Sequence, residues 1–273
     1  MSVSESTASH PVTLWRKTCI AACRLGGEIL NSYRGRVVAR EKQPRDLVTE
    51  ADFASQKAIE EYLGQRFPTH KILGEESNLP DDDPARKSDE SVRWIIDPLD
   101  GTTNFVHGLP NYCVTVAVER AGVIWAGAVY DPVMDECFHA GRGEGVWLDN
   151  QPLRGSGCER LENAMLAAGF SPHVAPGSTE VSRFESVLFR SQAMRRLGSA
   201  ALNLAYVAAG RLDGYFAEGV KTWDVAAGVL MIELAGGRVS AIDGSPFDLA
   251  RPRIAAASTA SLHAELVEAL AVR

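Results

Sequence analysis

The stretch from Trp94 to Phe105 reads Trp-Ile-Ile-Asp-Pro-Leu-Asp-Gly-Thr-Thr-Asn-Phe, and it decides the fold class. Its apolar start predicts a buried strand that ends at Asp97, and Pro98 predicts a turn directly after it. Asp100 then precedes a Gly-Thr-Thr step that favours the start of a short helix. A strand that passes at once into a helix, with acids at the junction, is typical of α/β proteins, which gather ligand sites at such junctions.

Two further segments place acids at the ends of apolar runs. In Ile72–Ser77 a short predicted strand delivers the adjacent carboxylates Glu75 and Glu76, and in Trp223–Gly228 an apolar helix begins with Asp224 at its predicted N-cap. Each pattern alone is ordinary, since Asp often only caps a helix and Glu after a strand is often only solvated. If the acids of all three segments converge, they repel one another unless cations hold them, and oxygen ligands suit Mg²⁺ better than zinc.

The rest of the chain predicts an N-terminal α+β lobe over residues 1–150 and a C-terminal α/β lobe over residues 151–273. Helical spacing predicts a first helix over 12–34, and the capping-box pattern Thr49–Asp52 predicts a second. Short β-type runs follow between Lys71 and Tyr130, interrupted by a predicted solvated loop over 78–91, and a hairpin is predicted over 131–153. From Ala164 onward strands and helices alternate, which predicts the second lobe.

The amino-acid composition limits the kinds of partner that the protein is expected to bind. The 273 residues carry 35 acidic and 28 basic side chains, a net charge of −7, and no run of basic residues. This balance argues against binding to nucleic acid, which depends on clustered Lys and Arg. The chain has no apolar window long enough to cross a bilayer and no secretory pattern at its start, so a cytoplasmic protein without membrane association is expected.

Several other catalytic patterns do not match. An aspartyl-phosphate phosphatase of the haloacid dehalogenase type needs acids two residues apart, whereas Asp97 and Asp100 are three apart with Pro98 between them. A serine hydrolase needs Gly-x-Ser-x-Gly, and Gly169–His173 fails at the last position. The glycines of Gly141–Gly145 do not have the spacing of a dinucleotide-binding loop.

Three of these motifs resemble those of the inositol monophosphatase family in order and spacing: Gly74–Ser77, Asp97–Phe105 and Trp223–Gly228, with supporting matches at Asp46–Asp52 and Leu197–Ala201. The resemblance implies the layered α/β sandwich of alternating helix and sheet layers that this family shares with fructose-1,6-bisphosphatase. It also implies a Mg²⁺-dependent, lithium-sensitive phosphatase, commonly a homodimer, that acts on a small phosphorylated polyol.

The substrate that the resemblance favours is myo-inositol monophosphate, hydrolysed to inositol and phosphate. Histidinol phosphate and fructose 1,6-bisphosphate are the enzymatic alternatives within the same superfamily. A regulatory protein that retains the fold without turnover is the non-enzymatic alternative, and loss of a metal-binding acid would have favoured it. All of the expected acids are present.

For the metals, the resemblance implies two to three Mg²⁺ ions per site. Glu75, Asp97 and the backbone carbonyl of Leu99 would bind the first ion. Asp97, Asp100 and Asp224 would bind the second, and a weaker third ion would also rely on Glu75. The family usually has Ile at position 99, but since only the carbonyl coordinates, Leu should serve equally.

For catalysis, the resemblance implies that Glu75 and Thr102 orient a metal-activated water, while Asp52 holds the Thr102 hydroxyl. The residues that it places against the substrate are Gly101, Thr102, Thr103, Gly198, Ser199, Ala200 and Glu218. Backbone N–H groups at the start of a helix can bind phosphate, which suits Gly101–Thr103 to that role. Arg195 and Arg196 either reach a second anionic group or face solvent.

Overall fold

The computed structural model describes residues 11–77 and 90–272, and in this part of the chain helices and two large β-sheets stack in alternating layers. The helices are α1 (Pro11–Tyr33), α2 (Glu50–Arg66), α3 (Thr102–His107), α4 (Thr179–Leu188), α5 (Ala200–Ala208), α6 (Thr222–Leu234) and α7 (Ala260–Leu270). The strands of the first part are β1 (Arg40–Gln43), β2 (Asp46–Val48), β3 (Lys71–Gly74), β4 (Val92–Asp100), β5 (Cys113–Arg120), β6 (Val123–Asp131), β7 (Glu136–Gly141), β8 (Gly145–Leu148) and β9 (Gln151–Pro152). Those of the second part are β10 (Met165–Ala168), β11 (Ala193–Arg195), β12 (Gly214–Ala217), β13 (Arg238–Ala241) and β14 (Ile254–Ala257).

A seven-stranded sheet forms the first half of the fold, in the order β3-β4-β5-β6-β7-β8-β9. Strands β3 and β4 are parallel, and the other neighbours are antiparallel. Helices α1 and α2 pack on one face of this sheet. The stripe that sequence spacing predicts on α1 is buried there, including Trp15, Cys19 and Leu30, so burial of the apolar stripe explains where the helix lies.

A five-stranded sheet forms the second half, in the order β11-β10-β12-β14-β13. Helices α5 and α6 lie between the two sheets, and α4 and α7 cover the outer face of the second sheet. The small residues of α6 allow close packing: a Cβ added to Gly228 would lie 2.4 Å from the Cβ of Leu204 on α5. The predicted layered α/β sandwich of alternating helix and sheet layers is therefore confirmed.

Some local predictions were wrong. Strand β4 does not end at Asp97 but continues through Pro98 to Asp100, with a shift of register against β5 that absorbs the proline. Asp224 is not the N-cap of α6, since the cap is Lys221 and Asp224 lies in the first turn. The spacing of apolar residues after Thr49 predicts Phe53 on the buried face of α2, but its side chain is 52% exposed.

The chain passes from the seven-stranded sheet to the five-stranded sheet between Pro152 and Met165, close to the predicted lobe boundary at residue 150. The core between the sheets is continuous, with Phe138 of the first sheet and Tyr215 of the second in one cluster, so the division into two lobes stays a prediction. The loop predicted over 78–91 falls at 78–89 outside the described residues. In the described chain, no helix combines the length and apolar character needed to cross a membrane.

Candidate active site

The end of β4 brings two buried acids to one edge of the first sheet. Asp97 is 2% exposed, and its Oδ1 accepts a hydrogen bond from the backbone N–H of Leu99 at 3.0 Å. The Oδ2 of Asp100 accepts bonds from the Ser199 hydroxyl and from the backbone N–H of Ala201, both at 2.6 Å. Asp100 therefore joins the end of β4 to the start of α5 and fixes the two halves of the fold at this point.

Glu75 and Asp224 reach the same place from two other elements. The backbone N–H of Glu75, just after β3, donates to the carbonyl of Ile96 at 3.1 Å, which places Glu75 beside Asp97. In the first turn of α6, the Oδ2 of Asp224 accepts from the backbone N–H of Lys221 at 2.8 Å. Glu75, Asp100 and Asp224 all lie close enough to Asp97 for their charges to raise its pKa, so the four acids predicted from three separate motifs do converge.

The acids disfavour one another's charged forms. Burial, followed by the nearby charges of Glu75, Asp100 and Asp224, raises the pKa of Asp97 well above its usual value. Burial and then the charges of Asp100 and Glu75 raise the pKa of Asp224. Burial raises the pKa of Asp100 to about 6, although its bonds from Ser199 and Ala201 oppose the shift. A set of carboxylates that cannot all ionise in the buried site without compensation is what a bound cation would relieve.

The chemistry of these donors fits Mg²⁺. All four side chains offer only carboxylate oxygens, the ligands that hard cations prefer, and burial would shield the interaction from water. In residues 11–77 and 90–272, however, no group of three or more His, Cys, Asp or Glu side chains is already gathered into a metal-binding arrangement. The assignment of individual metal ligands, including the carbonyl of Leu99, stays a prediction.

A lysine that the sequence did not single out contacts this cluster. The Nζ of Lys42, on β1, donates to Oε1 of Glu75 at 3.0 Å and also to Glu76. Although burial opposes it, the charges of Glu75 and Glu76 raise the pKa of Lys42. Burial in turn raises the pKa of Glu76 to about 7. Lys42 thereby joins the β1–β2 hairpin to the two acids that follow β3.

The start of α3 lies beside the acids and offers backbone N–H groups. Gly101 has a φ of 97°, and a Cβ added there would lie 3.0 Å from the carbonyl oxygen of Asn111, so glycine suits both the turn and the close approach. The hydroxyl of Thr102 lies 3.2 Å from Oδ1 of Asp52 and 3.1 Å from the carbonyl oxygen of Leu99. Since first-turn N–H groups have no acceptor inside the helix, Thr102 and Thr103 can present theirs to an anion.

Asp52 is held for this contact by the predicted capping box. Its Oδ2 accepts from the backbone N–H of Thr49 at 2.8 Å and from the Thr49 hydroxyl at 2.7 Å. Asp52 is fully buried, and burial raises its pKa despite these two bonds. The sequence pattern that starts α2 therefore also positions the carboxylate that contacts Thr102.

The second half of the fold supplies the opposite wall. Ser199 caps α5, its Oγ accepting from the backbone N–H of Leu202 at 3.2 Å. Gly198 has a φ of 90°, and an added Cβ would lie 2.7 Å from the side-chain nitrogen of Asn104. The Nδ2 of Asn104 donates to the carbonyls of Asn111 and Leu197 at 2.7 and 2.8 Å, which joins the two walls.

These walls enclose a cleft of about 780 Å³. Of the residues predicted from the sequence, those that line it are Asp100, Gly101, Thr102, Thr103, Gly198, Ser199, Ala200 and Asp224. Asp52, Asp97 and Leu99 are buried. The cleft also contains Arg196, for which the sequence left two alternatives open. Residues of the cleft that the sequence did not indicate are notably Arg45, Phe170, Asn203 and Tyr215.

The structure does not bring Glu218 into this cleft. Its carboxylate pairs with Arg183 and, at 2.8 Å, with Arg253, and it lines a separate cavity with Lys221 and Arg251. The two guanidinium groups hold this carboxylate in that cavity, and Glu218 is not among the residues that line the cleft. The position in the sequence could not reveal these partners, because both arginines come from distant segments.

A cluster of carboxylates close to the N–H groups of a helix start is an arrangement that suits cations and an anion together. The chain matches the profile of the inositol monophosphatase family over residues 13–272, and it belongs to that family.

Its relatives carry two kinds of name. The protein named Nus factor SuhB from Escherichia coli strain K12 is 39% identical over 260 residues, which are 92% of this chain and 96% of that protein. The inositol-1-monophosphatase of Mesorhizobium japonicum is 42% identical over 205 residues, 74% of this chain and 75% of that protein. The solved inositol monophosphatase of Anabaena (Nostoc) sp. PCC 7120 has a TM-score of 0.81 at 35% identity, covering 95% of this chain and 96% of that one.

Proposed function

We propose that the protein is a Mg²⁺-dependent phosphatase that hydrolyses a small phosphorylated polyol, with myo-inositol monophosphate as the first candidate. The observation that carries this proposal is the convergence of Glu75, Asp97, Asp100 and Asp224 beside the start of α3. Membership of the inositol monophosphatase family supports it. When bound, Mg²⁺ supplies the positive charge that activates water and neutralises the charge that develops on phosphate.

The residues of the chain have distinct tasks in this proposal. Glu75, Asp97, Asp100 and Asp224, with the carbonyl of Leu99, would hold the ions. The N–H groups of Gly101–Thr103 would bind phosphate oxygens, and a group held this way is oriented for attack without further rearrangement.

Thr102 has a second task, which is to orient the attacking water together with Glu75. Its hydroxyl is already fixed between Asp52 and the carbonyl of Leu99, so Asp52 acts as a positioning residue. Gly198, Ser199 and Ala200 would form the wall against the polyol. Glu218 is left out, since its carboxylate is bound to arginines outside the cleft.

The test is phosphate release from inositol 1-phosphate, fructose 1,6-bisphosphate, histidinol phosphate and 3′-phosphoadenosine 5′-phosphate, with and without Mg²⁺ and with added Li⁺. Fastest release from inositol 1-phosphate, dependent on Mg²⁺ and inhibited by Li⁺, is expected. A preference for histidinol phosphate or fructose 1,6-bisphosphate would change the proposed substrate but leave the proposed Mg²⁺-dependent mechanism in place. Release that is indifferent to Mg²⁺ would contradict the mechanism.

One observation favours a second candidate, a regulatory protein that retains the fold. It is the name Nus factor SuhB, carried by a relative that aligns with 92% of this chain. Absence of Mg²⁺-dependent release from every substrate of the panel would favour this candidate. We further propose a cytoplasmic homodimer, as the family resemblance implies, and sedimentation at micromolar concentration would test the dimer.

A further inference from the structure

We propose that Asn203 and Tyr215 recognise a hydroxyl group of the substrate and so determine which phosphate monoesters the protein prefers. Together with Gly169 they form one part of the cleft, which we call its floor. The inference rests on the proposed function and adds two residues that set its specificity. An alcohol group both donates and accepts a hydrogen bond, so it matches a floor that offers one acceptor and one donor.

Asn203 supplies the acceptor. It lies on α5, lines the cleft and is 2% exposed. Over the residues described, its Oδ1 has no hydrogen-bond partner. A buried amide oxygen without a donor is costly, so its presence in a ligand cleft indicates a ligand group that pairs with it. The last torsion of an Asn side chain is soft, which lets the amide turn this oxygen toward the cleft.

The cleft is the one place where such an atom meets a ligand site. Other buried side-chain atoms within residues 11–77 and 90–272 also lack a partner, but none belongs to a residue that lines the cleft. The cleft neighbours Ala168, Gly169 and Ala200 have no polar side-chain atoms that would compete for a hydroxyl. The orphaned amide of Asn203 is therefore placed to select a polar group of the substrate.

The distance from the acid cluster to Asn203 suits a small polyol. The backbone N–H of Asn203 donates to the carbonyl of Ser199 at 3.2 Å, so the two residues are one turn apart on the same face of α5. The hydroxyl of Ser199 in turn donates to Asp100 at 2.6 Å. One helical turn is about 5.4 Å, so a polyol whose phosphate lies at the acid cluster can reach the floor with a hydroxyl.

Tyr215 supplies the donor. It lies on β12, is 1% exposed, and has Ala167 and Ala256 as its partners on the two neighbouring strands. A Cβ added to Gly169 would lie 2.5 Å from the Tyr215 hydroxyl, and Gly169 does not have a positive φ, so the glycine makes room for this hydroxyl. Burial raises the pKa of Tyr215, and the hydroxyl therefore keeps its proton and can donate it to a hydrogen bond.

The experiment compares substrates with and without hydroxyl groups in the presence of Mg²⁺. The ring arm compares inositol 1-phosphate with cyclohexyl phosphate, and the chain arm compares glycerol 3-phosphate with propyl phosphate. In at least one arm, kcat/KM of the wild type should be about tenfold higher or more for the hydroxylated substrate. A site with buried polar groups rejects an analogue that leaves them unpaired.

The variants are Asn203→Leu, which nearly keeps the shape of the side chain, and Tyr215→Phe, which removes only the hydroxyl. Each should lower the preference for the hydroxylated substrate about fivefold or more. The double variant should lose little more than the worse single variant, because both side chains contact the same hydroxyl. The Tm of Asn203→Leu should equal or exceed that of the wild type, since an unpaired buried amide oxygen is replaced by apolar atoms.

The matched control is Tyr130→Phe. The hydroxyl of Tyr130 donates to Asp135 at 2.9 Å, and Tyr130 is not among the residues that line the cleft. This variant also loses a tyrosine hydroxyl and a hydrogen bond, but it should keep the substrate preference of the wild type. The same loss of preference in Tyr130→Phe as in Tyr215→Phe would overturn the inference.

Equal kcat/KM within both arms for the wild type would also overturn it, as would a loss of preference in only one or neither of Asn203→Leu and Tyr215→Phe. Equal losses for both members of each pair, with a lower Tm, would assign the two residues a structural role instead. Failure of the proposed function is a different result, namely no Mg²⁺-dependent phosphate release by the wild type from any of the four substrates.

Discussion

The hydroxyl of Thr102 lies 3.2 Å from Oδ1 of Asp52, which joins the first residue of α3 to the first turn of α2. The two residues come from motifs 50 positions apart in the sequence, and this hydrogen bond joins the two motifs. The other carboxylate oxygen of Asp52 accepts hydrogen bonds from the backbone N–H and the hydroxyl of Thr49. The carboxylate therefore serves the cap of one helix and the hydroxyl of another.

The first prediction tests this pair as a unit. Asp52→Asn and Thr102→Val should each lower kcat about 10- to 100-fold, because either change frees or removes the hydroxyl that orients water. The double variant should lose little more than the worse single variant, since both changes break the same contact. Steady-state kinetics of the four proteins measure this. Losses that multiply would show that the residues act separately. The control is Glu50→Gln, which changes an exposed acid in the same first turn of α2.

A second prediction concerns Ser199, which both caps α5 and donates to Asp100. Ser199→Ala should lower the free energy of unfolding by about 1 kcal/mol through loss of the cap. It should also weaken Mg²⁺ binding about 10-fold or more, because Asp100 loses the bond that orients it. Chemical denaturation and titration calorimetry measure the two effects.

Thr259→Ala provides the matched control for Ser199→Ala. Thr259 caps α7 through the N–H of Leu262 at 3.1 Å, and it is not among the residues that line the cleft. It should show a similar loss of stability with unchanged Mg²⁺ affinity. Equal Mg²⁺ affinities for the two variants would contradict an orienting role for Ser199.

A third prediction concerns Asn104, whose amide joins the two walls of the cleft. Asn104→Asp places a carboxylate against the carbonyls of Asn111 and Leu197, so two acceptors lose their donor. The free energy of unfolding should fall by about 2 kcal/mol. Denaturant unfolding measures it, with the exposed Asn150→Asp as control. A change no larger than that of the control would show that the bridge contributes nothing.

A fourth prediction follows from the raised pKa of Asp100, about 6 in the folded protein against an ordinary 3.8. Between these values the folded state keeps a proton that the unfolded state releases, so the metal-free protein loses stability as pH rises through this window. Bound Mg²⁺ would replace the proton and recover the loss. The increase in Tm on adding Mg²⁺ should therefore be larger at about pH 7.5 than at about pH 5.

Differential scanning calorimetry at the two pH values measures this effect. Asp100→Asn should reduce the dependence on pH, and Asp243→Asn should not, since Asp243 lies on the surface and its pKa is lowered by Ser245. A Tm increase of the same size at both pH values would contradict the prediction.

Local patterns predicted much of the fold and the centre of the site. The capping box at Thr49 and the short helix after Gly101 depend on neighbouring residues, so the sequence could reveal them. The convergence of the acids could be inferred because strand ends and helix starts meet at one edge of a sheet. The predicted end of β4 at Asp97 was wrong because the irregular register of β4 against β5 accommodates Pro98 within the strand.

Long-range contacts account for what the sequence did not show. Strand β1 reads Arg-Glu-Lys-Gln, without the alternation that predicts a strand, so neither the hairpin nor the contacts of Lys42 with Glu75 and Glu76 could be predicted. Glu218 stands near Asp224 in the sequence, but its partners Arg183 and Arg253 come from elsewhere in the chain. Tertiary ion pairing of this kind leaves no local signal.

The most direct test of Mg²⁺-dependent catalysis at this acid cluster is the rate of phosphate release by Asp97→Asn. The rate is measured beside that of the wild type, with Mg²⁺, on the best substrate of the panel. Asp97 is the acid whose pKa is raised by the charges of Glu75, Asp100 and Asp224 together, and the side chains of Asn and Asp have nearly the same shape. For a protein whose circular dichroism shows a native fold, we predict that the rate falls by at least about 1,000-fold, because a metal ligand has been removed. A correctly folded Asp97→Asn protein that releases phosphate at the wild-type rate would contradict it.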